Sequence, residues 1–179
     1  MEPNWLNARE DRAWRAFMHA HHQLVVHLNR GLQESGLSGA DYEVLAVLSA
    51  LDGDGMPARD LCNVLGWEKS RLSHQLRRMQ KDGLISREPN PDAARRPLVC
   101  LLQTGRAAIE EAAPGHVADV RRNFIDLLTP AALDMLATLN ERVLHHLAED
   151  DDSGTRSPKY QSRREITCRT HPPGHSRRN

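Results

Sequence analysis

Apolar residues recur every three or four positions along most of this chain, which is the spacing typical of amphipathic helices. The first such run predicts a helix over about 7–35, with Gly36 as its C-terminal stop and Ser38 as the N-cap of the next helix. Its apolar stripe consists of Trp14, Phe17, Met18, His21, Val25, Leu28 and Leu32. The chain is therefore expected to begin with one long helix that has a single apolar face.

Three shorter helices are predicted next, and glycine or proline marks a boundary of each. The second helix ends at the Gly-Asp-Gly of 53–55, and Pro57 suits the first turn of the third, which ends at Gly66. The fourth helix spans about 68–81. Their inward positions are Tyr42, Leu45, Leu48 and Leu51, then Ala58, Leu61, Cys62 and Leu65, then Leu72, Leu76 and Met79. A short helix joined to a second one by so tight a turn is a helix-turn-helix unit.

The hydrophobic period changes after 83, from helical spacing to the pattern typical of strands. Pro-Asn-Pro-Asp at 89–92 is a strong turn signal, and an apolar run at 97–102 follows it. We predict that 84–102 is a small two-stranded β-wing, with Arg95 and Arg96 at its tip.

Helical spacing returns near Thr104, with a kink expected at Pro114-Gly115. Thr129 and Pro130 supply the N-cap and the first position of a last helix. The first and last helices carry apolar stripes that the small central module cannot fully cover. Burial of these stripes against a second copy of the chain is therefore expected.

These patterns predict a mainly α fold with a winged helix-turn-helix module at 37–103 and helical dimerisation regions at 1–36 and 104–148. The segment 149–179 has few apolar residues, and it is predicted to be a disordered tail. No run of about eighteen apolar residues occurs, so no membrane span is predicted. The N-terminus has no secretory signal pattern, which predicts a cytoplasmic protein. The three cysteines include no CxxC pair, so neither a disulfide framework nor a cysteine-rich zinc site is expected.

Positive charge is concentrated in one stretch, although the formal net charge is zero. Residues 68–96 include eight basic and four acidic side chains, whereas the rest of 1–152 has nine basic and nineteen acidic ones. Because the apolar residues of the fourth helix face inward, its polar residues are predicted to face double-stranded DNA in the major groove. The predicted DNA-binding residues are Lys69, Ser70, Arg71, Ser73, His74, Gln75, Arg77 and Arg78, with Arg95 and Arg96 from the wing.

The sequence from LSGADYEVL at 37–45 to LISREP at 84–89, followed by Val99-Cys100-Leu101 and Gly105-Arg106, resembles the MarR family of bacterial transcription regulators over about 10–148. The resemblance implies a homodimer that binds palindromic operators, usually as a repressor. It also implies release from DNA when a small aromatic or phenolic effector enters a crevice beside the dimerisation helices.

Two positions of the wing depart from the family pattern. Ala93 stands where the family usually has an aspartate, although Asp92 is adjacent, and Leu102 stands where it usually has a threonine. The N-cap of the following helix is accordingly expected at Thr104. The arginine that the family inserts into the minor groove corresponds to Arg95.

Five side chains are candidates for lining an effector crevice: Trp14, Arg15, His21, Tyr42 and His116. His116 is the preferred candidate because it follows the Pro114-Gly115 break, where irregular helix geometry favours a cavity.

The sequence also bears on functional classes other than DNA binding. Histidines at 19, 21, 22, 145 and 146 suggest a metal-sensing regulator, but no matching carboxylate set accompanies them, so no metal or other cofactor is predicted. The chain has no glycine-rich phosphate loop, HExxH or GxSxG motif, and no enzyme activity is predicted. A helical protein-interaction module that has lost DNA binding stays open as an alternative.

Overall fold

The computed structural model describes residues 3–51, 55–90 and 97–152, which form six α-helices and three short strands. In chain order these are α1 (Ala8–Glu34), α2 (Gly39–Ser49), β1 (Met56–Pro57), α3 (Ala58–Leu65), α4 (Lys69–Lys81), β2 (Ile85–Glu88), β3 (Leu98–Leu101), α5 (Gln103–Asn123) and α6 (Pro130–Asp152). A single 3₁₀ turn, Ile125–Leu127, lies between α5 and α6. The mainly helical fold predicted from the sequence is confirmed.

Local capping explains most of the helix boundaries. The side chain of Asn7 accepts hydrogen bonds at the start of α1, and Ser38 forms a capping box with Asp41 at the start of α2. Gly36 and Gly66 follow α1 and α3 with φ angles of 76° and 64°. Glycine adopts this left-handed conformation without the steric cost that a Cβ imposes, which allows the chain to turn sharply there.

The antiparallel sheet has the order β1-β3-β2, so β3 lies in its centre. The predicted pairing of the two wing strands is confirmed, with Ile85 opposite Leu101. The additional strand β1 places Met56 opposite Val99, and Pro57 belongs to this strand instead of the first turn of α3. A two-residue strand is too short to show a period, so the sequence pattern could not predict it. Gly55 is required beside it, because a Cβ there would lie 2.7 Å from the carbonyl oxygen of Val99.

The core lies within the helix-turn-helix module. Its fully buried side chains are Val44, Leu45, Leu61, Leu72, Leu76, Met79, Ile85 and Val99. Leu32 from the end of α1 and Ile109 and Ala112 from α5 also join this cluster. The two longer helices are thus attached to the module through α1's last turns and the first half of α5.

One prediction about α5 is wrong. The helix begins at Gln103 after the N-cap Leu102, and the Thr104 hydroxyl donates instead to the carbonyl oxygen of Gly83. The helix continues past Pro114 to Asn123, and the kink expected at Pro114-Gly115 stays a prediction. Pro114 is exposed, so solvent can hydrate the carbonyl group that the missing proline N–H leaves unpaired.

The ends of the chain depart from the core. α6 continues to Asp152, four residues into the segment predicted as a tail, while residues 153–179 lie outside the described part of the chain. None of the helices in the described ranges is both long and apolar enough to cross a membrane. Many large apolar side chains of α1 and α6 are exposed in the single subunit: Trp14, Phe17, Met18, Val25, Met135, Leu139, Val143, Leu144 and Leu147.

Candidate nucleic-acid interface

The turn between α3 and α4 orients α4 on the surface of the module. After Gly66 in its left-handed conformation, the backbone N–H of Trp67 donates to the carbonyl oxygen of Cys62 over 3.1 Å. The Trp67 side chain is 6% exposed and belongs to the core cluster. This buried ring anchors the chain directly before α4 begins.

α4 has one apolar and one polar face. Leu72, Leu76 and Met79 are buried in the core, as predicted. The opposite face is exposed and carries Lys69, Ser70, Arg71, His74 and Arg77, while Ser73 is half-buried beside it. The described structure therefore presents a cationic helix face outward from a module whose core is buried.

The outward orientation predicted for Gln75 is wrong. This side chain is 8% exposed, and its amide nitrogen donates to a carboxylate oxygen of Asp41 over 2.6 Å. The spacing contains a signal for this burial, because 72, 75, 76 and 79 together form the i, i+3, i+4, i+7 pattern of a core-facing stripe. The interpretation of polar residues as outward-facing missed it.

Arg78 also bonds within the subunit, although its side chain is 46% exposed. Its Nη2 atom lies 2.8 and 2.9 Å from the two carboxylate oxygens of Asp41 and 2.9 Å from the hydroxyl oxygen of Ser38. The prediction placed Arg78 on DNA, whereas in the structure its guanidinium holds α2 and α4 together. Sequence analysis missed Asp41 itself, which is a functional candidate only because the fold brings α2 against α4.

Opposing effects act on the pKa of Asp41. Burial raises it, but hydrogen bonds from Ser38 and Arg78 and the charge of Arg78 outweigh burial and lower the pKa below its usual value. The carboxylate is therefore held in its charged form inside the module.

A cation–π contact organises the first turn of α4. The guanidinium carbon of Arg71 lies 4.0 Å from the centroid of the Trp67 ring. Because the ring is buried, it provides a fixed platform on which an exposed arginine is held at the outer surface.

The described part of the wing consists of its two paired strands. β2 and β3 pair from Ile85–Leu101 to Glu88–Leu98, and Arg87 is exposed on β2. The predicted DNA-binding residues Arg95 and Arg96 lie outside the described residues.

Of the five effector candidates, the structure brings Tyr42 and His116 together. Their ring centroids are 4.3 Å apart, at the contact between α2 and α5. The Nδ1 atom of His116 is buried and has no hydrogen-bond partner among the described atoms. Burial lowers the pKa of His116, and the charge of Asp119 opposes this with a smaller effect. The lowered pKa favours the neutral imidazole.

The other three candidates lie on the exposed part of α1. Trp14 and His21 flank Phe17, with ring-centroid distances of 6.2 and 6.3 Å. Arg15 forms an exposed ion pair with Asp11. These residues belong to the uncovered apolar face of α1 and its border.

The histidines considered for metal sensing lie on two helices, α1 and α6. No group of three or more histidine, cysteine or acidic residues gathers in metal-binding geometry anywhere in the described ranges. His145 and His146 lie on α6 near Thr138, Glu141 and Arg142.

A short helix, a tight turn, an outward cationic helix and an adjacent antiparallel β-wing define a winged helix-turn-helix protein, a class that binds DNA. The family model for the MarR family matches residues 35–96. AbsC, a MarR family transcriptional regulator from Streptomyces coelicolor, is 39% identical to the chain, and the match covers 81% of this chain and 98% of AbsC with a TM-score of 0.79. This chain belongs to the MarR family of DNA-binding transcriptional regulators.

Two further solved structures contain DNA. A second MarR family transcriptional regulator from Streptomyces coelicolor, in complex with DNA, is 33% identical and has a TM-score of 0.78, with 82% of this chain and 92% of that chain covered. A cysteine-to-serine mutant of MarR from E. coli, complexed with operator DNA, is 25% identical and has a TM-score of 0.67. The match covers 73% of this chain and 91% of that chain. The comparison with curated proteins found no match.

Proposed function

We propose that this protein is a homodimeric repressor that binds a pseudo-palindromic site on double-stranded DNA and leaves it when a small aromatic or phenolic effector binds. The observation that carries DNA binding is the exposed polar face of α4, whose opposite face is locked into the core. The proposed contacts from α4 are Lys69, Ser70, Arg71, Ser73, His74 and Arg77. Arg95 and Arg96 stay in the proposal as wing contacts.

The proposed dimer follows from the apolar surface of α1 and α6. Met135, Leu139, Val143 and Leu147 are spaced four residues apart and form a stripe along α6, and each is about half exposed or more. Contiguous apolar stripes on two long helices are costly to leave in water, and packing against a second copy buries both. A two-fold dimer then presents one α4 to each half-site, with half-site centres about 34–36 Å apart.

The proposed effector site lies between α2 and α5, where Tyr42 contacts His116. α2 belongs to the DNA-binding module and α5 continues toward the dimerisation helices, so a ligand wedged there changes the angle between them. The buried Nδ1 of His116, which has no hydrogen-bond partner among the described atoms, offers an acceptor to a phenolic hydroxyl.

Selection from a random duplex library tests the DNA-binding proposal. Repeated binding to the wild-type protein is expected to enrich a pseudo-palindrome, and this selected duplex then serves as the operator probe. Arg71→Ala should weaken binding to the probe, whereas Arg30→Ala, at an exposed arginine on α1, should not. Failure to enrich any sequence at low salt would favour the protein-interaction module over a DNA-binding regulator.

Repression and release need a transcriptional readout. A reporter placed behind the selected operator should be silenced by the protein and restored when the effector is supplied. Activation of the reporter would contradict the repressor proposal while leaving DNA binding intact.

A further inference from the structure

We propose that Asp41 is a positioning residue for DNA recognition, because its carboxylate bonds Gln75 and Arg78 and so sets the orientation of α4 on the module. In this arrangement Arg78 fixes α4 to α2 through Asp41 and does not contact a DNA phosphate. The inference rests on the proposed operator binding and adds the residues that align the helix for it.

The geometry joins two elements that are far apart in sequence. Asp41 is in the first turn of α2, and its Oδ1 accepts from Gln75 Nε2 at 2.6 Å and from Arg78 Nη2 at 2.8 Å. Both donors are on α4, 34 and 37 residues away. Gln75 and Arg78 lie about one helical turn apart. Bonds to both residues restrain α4 against sliding along its axis as well as against rotation about it.

The hydrogen bonds to Asp41 fix the rotation of α4 about its axis more tightly than its apolar contacts do. Leu72, Leu76 and Met79 hold the helix against the core, but burial of apolar area has no preferred direction and tolerates small rotations. Charge-assisted hydrogen bonds are short and angle-dependent. A rotation of about 20° at the outer radius of a helix, roughly 6 Å, moves a side-chain tip by about 2 Å, which is enough to lose a base contact.

Burial makes the arrangement costly to break. Asp41 and Gln75 are 7% and 8% exposed, so an oxygen or amide left without its partner is poorly compensated by water. Ser38 caps α2 and also accepts from Arg78, which ties the same guanidinium to the end of α2. The bonds exist in the subunit without DNA, so α4 is aligned before it meets the groove.

Arg77 and Arg78 provide a matched pair for the test. They are adjacent arginines on α4, but Arg77 lies on the exposed polar face and Arg78 bonds Asp41. Binding of Arg77→Ala and Arg78→Ala is measured on the selected operator duplex and on a scrambled duplex, over a range of salt concentrations. Thermal unfolding of each variant reports whether it is folded, and the 46% exposure of Arg78 makes its truncation compatible with folding.

The two variants should differ in kind. Arg77→Ala removes a phosphate contact, so both duplexes bind more weakly, and the slope of log K against log salt falls by about one. Arg78→Ala should weaken operator binding about tenfold, with an unchanged salt slope and unchanged binding to the scrambled duplex. A loss of slope in Arg78→Ala like that of Arg77→Ala, or unchanged operator affinity, overturns the proposal.

Asp41→Asn keeps the size of the side chain and removes its charge. We expect it to reduce the ratio of operator affinity to scrambled-duplex affinity, as Arg78→Ala does. The double variant Asp41→Asn, Arg78→Ala should reduce this ratio no further than either single variant. Arg78→Lys should recover part of the ratio because the ammonium can still reach the carboxylate. Losses that multiply in the double variant overturn the proposal, whereas a wild-type protein that prefers no duplex refutes the proposed function instead.

Discussion

The guanidinium carbon of Arg71 lies 4.0 Å from the centroid of the buried Trp67 ring, across the junction where the turn after α3 leads into α4. Trp67 is part of the core and Arg71 is exposed, so the contact couples the interior of the module to the exposed polar face of α4. An arginine held on a ring loses less conformational freedom when it binds DNA than a free one does.

Trp67→Phe tests this coupling. Phenylalanine retains an apolar ring but binds a cation less strongly, so operator affinity should fall by about two- to fivefold, the value of an exposed cation–π contact. The same substitution made in Arg71→Ala should have no further effect on binding. Operator affinity is measured by fluorescence anisotropy. If Trp67→Phe lowers this affinity equally in the wild type and in Arg71→Ala, Trp67 acts through the stability of the module and not through Arg71.

Acid should destabilise the protein partly through Asp41. The pKa of this carboxyl is lowered in the folded state, so its stabilising contribution is present above the pKa of the unfolded chain and is lost as pH falls through the folded value. The Tm difference between wild type and Asp41→Asn should therefore be largest near neutral pH and shrink in acid. Asp60→Asn, at an exposed aspartate, is the control; a difference independent of pH would contradict the assignment.

Leu147→Glu should break the proposed dimer. Leu147 is 54% exposed in the single subunit, and a carboxylate in its place would be buried without a partner in a helical interface. Light scattering should give the mass of a monomer, and operator affinity should fall steeply because one subunit contacts one half-site. Leu102→Glu, outside α1 and α6, should stay dimeric; a dimeric Leu147→Glu would move the interface elsewhere.

Simple phenols should stabilise the protein through the Tyr42–His116 contact. A ligand that binds only the folded state raises Tm, and p-hydroxybenzoate and phenol are suitable probes. His116→Leu keeps an apolar filling but removes the imidazole, so its Tm should not respond to either probe. A response that persists in His116→Leu would place the effector elsewhere.

Local signals in the sequence predicted the helices well because capping involves neighbouring residues. Ser38 bonds Asp41 three positions away, and Gly36 and Gly66 turn the chain through their own φ angles. The inward positions Leu72, Leu76 and Met79 followed from the period of a single helix. The N-cap at Leu102 was missed although it too is a local feature, because the helix tolerates an unfavourable residue there while the rest of α5 packs on α1 and α2.

The sequence by itself determined the order of the helices and of the two wing strands, the apolar residues that each helix buries and the class of the module, because these depend on spacings of a few residues. The tertiary structure alone decided that Gln75 and Arg78 face Asp41, that β1 joins the sheet, and that Tyr42 meets His116. Each of these contacts joins residues more than thirty positions apart. No local period specifies such a pair; it arises only when packing of the helices brings distant side chains within bonding distance.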